Sequence, residues 1–311
     1  MEMENADLEK RLKRKKRRRI LIITLLIIGP IAMLLESLFW RMTDVFDDIF
    51  HAVGEDVPDL RAEQDLPPLN LGEDPFSLLI LGLDEGRSDS MMVATVNPNL
   101  GTTYLLSVAR DTMVDIPGHH TTRINHAFAY GGIDLAVETV QNFLNIPIDF
   151  YVSLRMEEFP TLVDTFGGVR VYNDTIAFSL GGYHFPLGYI DLTGHAAYYY
   201  VRMRQDDPRG DFGRQERQRD VLTALVNEIA GVTAVTRYQQ ILDAVSHHMR
   251  TDVTLNEMLT MSVSYNRALR NITNLTLQAP GSIINGMYLI PIPEYQRLEM
   301  SQRLRNHLEL Y

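Results

Sequence analysis

Nine of the chain's 29 basic residues are packed into Lys10–Arg19, and the next 21 residues, Ile20 to Trp40 (ILIITLLIIGPIAMLLESLFW), carry one ionisable side chain, Glu36. Twenty-one helical residues reach roughly 30 Å, the thickness of a bilayer's hydrocarbon core. Gly29-Pro30 is compatible with a spanning helix, and Phe39-Trp40 sit where an interfacial aromatic belt belongs. A cleaved signal peptide has a shorter apolar core and a small-residue cleavage site, which Ala32-Met33-Leu34 does not supply. The pattern predicts a cytoplasmic head (1–19), one uncleaved span (20–40) and export of everything beyond it, by the positive-inside rule.

Charge supports that division. The 311-residue chain has a net charge of -11, and beyond residue 19 there remain 20 basic against 36 acidic side chains. An acidic body argues against nucleic acid as a partner. Cysteine is absent, which excludes disulfides, thiolate metal sites and a cysteine nucleophile. Residues 41–75 hold ten acids and two arginines and are expected to be a short helical stretch followed by a solvated, Pro-containing linker, without chemistry of its own.

From residue 76 to 311 the pattern is that of one exported domain. FSLLILGLD (76–84), SMMVATVNP (90–98) and GTTYLLSVARD (101–111) are apolar runs rich in β-branched residues, expected as strands covered on both faces. A helical stripe begins at Ile133 and ends by Pro147, and FYVSL (150–154) and GVRVYN (168–173) look like further strands. Helices are expected over 193–200, 212–230, 237–249, 255–269 and 294–308, with strands near 272–279 and 283–290. Interleaved strands and helices predict an α/β fold with helices on both faces of a mixed sheet.

The densest chemistry lies in YVRMRQDDPRGDFGRQERQRD (200–220), with six arginines inside an acidic body. Arg202 and Arg204 share a direction only on extended chain, whereas Arg214 and Gln218 share one face of a helix starting near Phe212. The planar guanidinium matches phosphate oxygens bidentately. The alternative for this run is a salt-bridged helix start. Asp84, Arg87 and Asp89 follow one strand, and two carboxylates with an arginine suit a Mg²⁺–phosphate site, Mn²⁺ being a possible substitute. Arg110-Asp111 closes another strand, near the Asp84–Asp89 loop if the strands pair as hairpins. For either segment alone a surface loop is the simpler account. His119-His120 and His247-His248 lack the spacing of a zinc site.

Taken together, LILGLDEGRSDSMMV (79–93), SVARDT (107–112), RINHAFAYGG (123–132), FGGVRV (166–171) and the 192–222 segment resemble the LytR-CpsA-Psr family. The resemblance implies a three-layer α/β/α sandwich with a groove for a polyprenyl chain. It implies transfer of a glycopolymer, such as teichoic acid or capsular polysaccharide, from a polyprenyl-pyrophosphate carrier to a peptidoglycan hydroxyl at the outer face of a bacterial membrane. Asp84 and Asp89 then match Mg²⁺-binding positions. Arg87, Arg110, Arg202, Arg204, Arg214 and Gln218 match pyrophosphate contacts. Asp211 matches an acidic position considered as a base, alongside a helix-capping role. SVARDT departs from the family by Ala109 in place of proline. Met91, Met92, Phe128, Phe143, Phe150, Phe159, Leu162 and Phe166 are lipid-channel candidates, each more readily explained as core. A pyrophosphatase acting on the same donor, and a non-catalytic regulator binding wall polymers, are the competing functions.

Overall fold

The computed structural model describes residues 49–54, 56–229 and 249–310. The anchor expected at 20–40 and most of the helix expected over 237–249 lie outside them. Chain contacts separate Met1–Asp47 from the body, Asp48–Tyr311, which is the unit described below. No helix among the described residues is long and apolar enough to cross a membrane.

The body begins with a strap that differs from the expected solvated linker. Ile49 is buried, and the His51 carbonyl accepts a hydrogen bond from the Tyr151 hydroxyl at 2.7 Å. Helix α1 (Leu60–Glu63) is capped by Asp59, and its Arg61 grips Asp149, Nη2 lying 3.0 Å from Oδ2. These apolar and ionic anchors outweigh the like charge that the sequence pattern emphasises.

The central sheet starts with the hairpin β1 (Phe76–Asp84) and β2 (Arg87–Asn97), followed by β3 (Thr102–Ser107). A small hairpin, β4 (Met113–Asp115) with β5 (Thr121–Arg123), leads into α2 (His126–Leu144). Then come β6 (Phe150–Arg155), α3 (Phe159–Thr165) and the short strands β7 (Val169–Asn173), β8 (Phe178–Leu180), β9 (Tyr183–Phe185) and β10 (Gly188–Leu192). Helices α4 (Gly194–Arg202) and α5 (Asp211–Ile229) carry the arginine-rich segment. The chain ends with β11 (Met249–Thr251), α6 (Leu255–Ser264), α7 (Asn266–Leu269), β12 (Ile272–Thr276), the hairpin β13 (Ser282–Ile284) and β14 (Met287–Leu289), and α8 (Glu294–His307).

The six-stranded sheet runs β11-β6-β1-β2-β3-β12 and is mixed, with β1/β6 and β3/β12 parallel and its other pairs antiparallel. Alternation along the strands sends Leu79, Leu81, Met91, Val93 and Leu106 to one face, against Val140 of α2 and Leu304 of α8. Leu78, Ile80, Met92, Ala94 and Leu105 go to the other, where Leu222 of α5 meets them. Both faces are thus covered by helices, as the doubly apolar runs predicted. A second core joins α3, β7, β10, α4 and α5 through Val163, Val171, Ile190, Tyr200 and Val221.

Several boundaries differ from expectation. Helix α2 carries an additional segment from His126 ahead of the expected one; non-helical backbone at Gly131 and Gly132 separates the two, and the periodic stripe begins at Ile133 as predicted. The 255–269 helix divides at Tyr265, whose hydroxyl donates to the Asp74 carbonyl at 2.6 Å and ties the strap to the body. The strand near 283–290 is two strands around Asn285-Gly286, both at positive φ. Residue 249, assigned to a helix, opens β11. GVRVYN forms a strand as expected, but β7 pairs with β10 outside the central sheet.

Candidate functional site

The site grows from a defect in the β1–β2 hairpin. Its two-residue turn, Glu85-Gly86, has φ of 47° and 76°, the doubly left-handed geometry that joins tightly twisted strands. Just inside the turn Gly82 pairs with Ser90 but Leu83 pairs with Ser88, so Asp89 is the extra residue of a β-bulge. The bulge re-aims Asp89 towards the start of the loop after β3, where its Oδ2 meets Arg110 Nη1 at 3.0 Å.

Helix α4 delivers Arg202 from its last turn. Its Nη1 donates to Asp84 Oδ2 and to the Tyr198 hydroxyl, both at 2.7 Å, and its guanidinium lies 4.9 Å from the Tyr198 ring centroid. Met203 then adopts extended backbone and ends the helix. Helix α5 starts at Asp211, close to the expected position, and places Arg214 and Gln218 one turn apart. Arg214 Nη2 lies 2.6 Å from Asp211 Oδ1, and Ser90 donates to Gln218 Oε1 at 3.1 Å.

Asp84, Asp89, Ser90, Arg110, Met156, Arg202, Arg214 and Gln218 line one cavity of about 130 Å³. Six of these eight were singled out from the sequence. Ser90 and Met156 were not, and neither carries a recognisable signal. Tyr198 was also missed, although its spacing four residues before Arg202 on a helix is a usable one. Asp211 lies beside this lining, paired with Arg214, and also accepts from Gln215 Nε2 at 3.0 Å. Arg87 and Arg204 are exposed and do not line the cavity.

The other arginines of the 200–220 segment have structural partners, as its salt-bridged alternative anticipated. Arg217 is buried with Asp207 at 2.6 Å and lies against the Phe178 and Tyr200 rings. Arg219 donates to Ser107 Oγ at 2.7 Å, and Arg209 bridges Asp207 and Glu216.

Electrostatics and unpaired donors make the cavity a candidate anion site. Burial, with Arg110 and Arg204 nearby, holds the Arg214 pKa below its ordinary value despite Asp211. For Arg110, burial pulls downward but the Asp89 and Asp111 carboxylates outweigh it, and the pKa rises. The Nε atoms of both Arg110 and Arg214 are buried without a hydrogen-bond acceptor. Such donors are costly unless a ligand oxygen completes them.

Among the described residues no group of three or more His, Asp or Glu side chains forms a ready-made metal site. Asp84 and Asp89 nonetheless put two hard oxygen donors on one cavity. That set fits Mg²⁺, which commonly takes one or two carboxylates and completes its shell with water and phosphate.

A groove of about 1170 Å³ shares Asp84 with the cavity; Leu83, Phe128, Ile133, Tyr151 and Tyr198 line part of it, and Glu85, Asp134, Arg155, Glu157 and Arg250 the rest. Of the eight lipid-channel candidates only Phe128 lines it. Met91, Phe143, Phe150, Phe159 and Phe166 are buried in the cores, Met92 lies under α5, and Leu162 packs on the second core.

Comparison with known proteins agrees with this geometry. The chain is 39% identical over 298 residues to the Enterococcus faecalis polyisoprenyl-teichoic acid–peptidoglycan teichoic acid transferase TagU, covering 93% of this chain and 94% of that one. The crystal structure of B. subtilis TagU superposes with a TM-score of 0.64 at 37% identity, over 76% of this chain and 97% of the other. A structure of TagT bound to LIIa-WTA gives a TM-score of 0.68 at 28% identity, over 78% and 94%. Residues 51–306 match the LytR_cpsA_psr family, and with the strap, bulge and arginine cavity all inside that span, the chain belongs to it.

Proposed function

We propose that this protein moves a teichoic-acid-type glycopolymer from a polyisoprenyl-pyrophosphate carrier to a hydroxyl of peptidoglycan. The observation that carries the reading is the cavity itself, where Arg110, Arg202 and Arg214 surround a space sized for phosphate and bounded by two carboxylates. A pyrophosphate diester resists attack because its negative oxygens repel nucleophiles. Guanidinium groups fixed around those oxygens stabilise the charge that grows on the leaving phosphate.

In this reading the acceptor oxygen forms a bond to the glycan-side phosphorus and the bond to the carrier-side phosphate breaks. A polyisoprenyl monophosphate leaves and a phosphodiester remains on the wall polymer. Arg202 and Arg110 hold the carrier-side oxygens, Arg214 and Gln218 orient the glycan side, and Asp211 takes the hydroxyl proton. Mg²⁺ at Asp84 and Asp89 would add neutralising charge on the phosphate oxygens. Arg204, outside the lining but near enough for its charge to act on Arg214, adds positive charge to the site. The apolar carrier chain would lie along Leu83, Phe128, Ile133 and Tyr151 of the groove beside Asp84, and the 20–40 segment anchors the body at the outer face of the membrane with residues 1–19 in the cytoplasm.

The test incubates the full chain in lipid nanodiscs with a lipid-linked, radiolabelled polymer, Mg²⁺ and a peptidoglycan oligomer. Label on the glycan is the expected result. Label released to water with none on the glycan means hydrolysis, and intact donor means binding alone.

A further inference from the structure

Beside the phosphate cavity stands a group of side chains that the transfer step does not use. The Pro117-Gly118 turn between β4 and β5 presents His119 and His120 to solvent, with Gly118 at a φ of 71°. His119 stacks on Tyr130 at 4.7 Å between centroids, while His120 and His126 approach the same ring at 6.2 and 5.7 Å. His126 Nδ1 lies 3.0 Å from Thr122 Oγ1. Three imidazoles therefore surround one exposed phenol ring, and among the described residues no group of three or more His, Asp or Glu side chains is placed to hold a metal ion.

Two guanidinium groups lie near these imidazoles. Burial and then the charges of Arg123 and Arg87, with His120, hold His126 below its ordinary pKa, although Asp111 pulls the other way. The β4–β5 stretch from residue 111 to 123 contains two carboxylates. Asp111 faces Arg123 at 3.3 Å and Arg110 at 3.8 Å, and Asp115 accepts the Thr121 hydroxyl. Arg87, at the tip of the β1–β2 hairpin, is exposed and has no ion-pair partner among the described residues. Asp111 thus links Arg123 to Arg110 of the cavity, while the Arg87 charge near His126 is left without a carboxylate.

We propose that His119, His120, His126 and Tyr130, with Arg87 and Arg123 beside them, form a second anion subsite that takes a phosphodiester of the polymer chain, beyond the pyrophosphate being cleaved. This rests on the transfer reading for its biological substrate, but not for its binding chemistry. Imidazole N–H groups and guanidinium forks donate to phosphate oxygens, and the Tyr130 ring offers an apolar face to the polyol or sugar carbons between them. Such a subsite selects anionic polymers over neutral ones and holds a long donor in register.

The experiment measures binding by calorimetry to the full chain in nanodiscs. The probes are a carrier-free oligo(glycerol phosphate), inorganic phosphate, a neutral dextran of similar length and a short polyprenyl phosphate. The oligomer is expected to bind, with dextran and inorganic phosphate at least tenfold weaker. The His119→Ala/His120→Ala double variant should weaken the oligomer by about tenfold, the equivalent of roughly one charge-assisted hydrogen bond, and leave polyprenyl phosphate unchanged. Tyr130→Leu is the independent second variant and should weaken the oligomer alone. Retained polyprenyl phosphate affinity reports that each variant is folded. Equal oligomer binding by wild type and both variants overturns the subsite, as does a wild type that binds dextran or inorganic phosphate equally well. Failure of transfer with oligomer binding intact would instead overturn the transfer reading and leave the subsite standing.

Discussion

Asp89 reaches Arg110 at 3.0 Å because it is the unpaired residue of a bulge in β2, one step from a two-residue turn. The same distortion leaves Ser90 opposite Gly82, where an added Cβ would lie 2.9 Å from Ser90 Cβ. A small strand residue and an extra strand residue together bring Ser90 and Asp89 into the cavity lining.

Asp89→Asn keeps the shape of that side chain and removes its charge. Transfer should fall by about a hundredfold, and the Mg²⁺ concentration giving half-maximal rate should rise. Rates measured across a Mg²⁺ titration, with and without a chelator, check this. A variant that keeps wild-type rate and metal response would remove Asp89 from the site.

Arg214 has its Nε buried without an acceptor, and burial, with Arg110 and Arg204, opposes its charge more than Asp211 supports it. Truncation therefore removes an unfavourably buried charge at the expense of the Asp211 pair, while deleting a donor to the substrate. Arg214→Ala should lower the transfer rate by about 10²–10³-fold, and thermal unfolding should shift little or upward. Unfolding by circular dichroism alongside steady-state rates separates the two effects.

Arg217 behaves oppositely. It is buried against Asp207, and Gly213 lies so close that a Cβ there would fall 1.9 Å from Asp207 Oδ2. Arg217→Met leaves Asp207 short of its main partner and should cost about 3–5 kcal/mol of stability. Burial raises the Asp207 pKa, but hydrogen bonds from Arg217 and Arg209 outweigh it and the net shift is downward. The pair therefore contributes fully above the ordinary aspartate value of 3.8 and is lost as pH falls through the lower folded value. Denaturant midpoints between pH 3 and 7 should show this acid loss in the wild type and a smaller one in the variant.

Asp252, which accepts the Tyr151 N–H at 2.8 Å, has the reverse sign. Burial, followed by the nearby Glu257 and Asp149 charges, pushes its carboxyl up to about 7. The folded state binds this proton more tightly than the unfolded chain, so stability declines as pH rises from about 4 to about 7. Asp252→Asn retains an acceptor for Tyr151, and should raise the unfolding temperature by several degrees at pH 8 with little change at pH 4.

The sheet and the cavity were legible in the sequence to different depths. Strand β1 was read at its full length because Phe76–Asp84 is apolar on both faces, and α5 nearly so because Asp211 and the following pattern announce a helix start. Asp84, Asp89, Arg110, Arg202, Arg214 and Gln218 were recognisable by residue type and order. Arg87 and Arg204 were not separable from them, since whether a side chain faces inward depends on the turn and on Met203, which local composition does not encode. The docked strap was missed because its anchors, Tyr151, Asp149 and Tyr265, are distant in sequence. The segment of α2 ahead of Ile133 was not read because the residues from His126 to Tyr130 are too few to show a helical period before two glycines.

The most direct test is a crystal structure of the protein with a polyprenyl diphosphate and Mn²⁺, read by anomalous scattering. The expected result is a diphosphate bounded by Arg110, Arg202, Arg214 and Gln218, with manganese at Asp84 and Asp89. Diphosphate bound on another face, with these side chains still paired only to one another, would contradict the account.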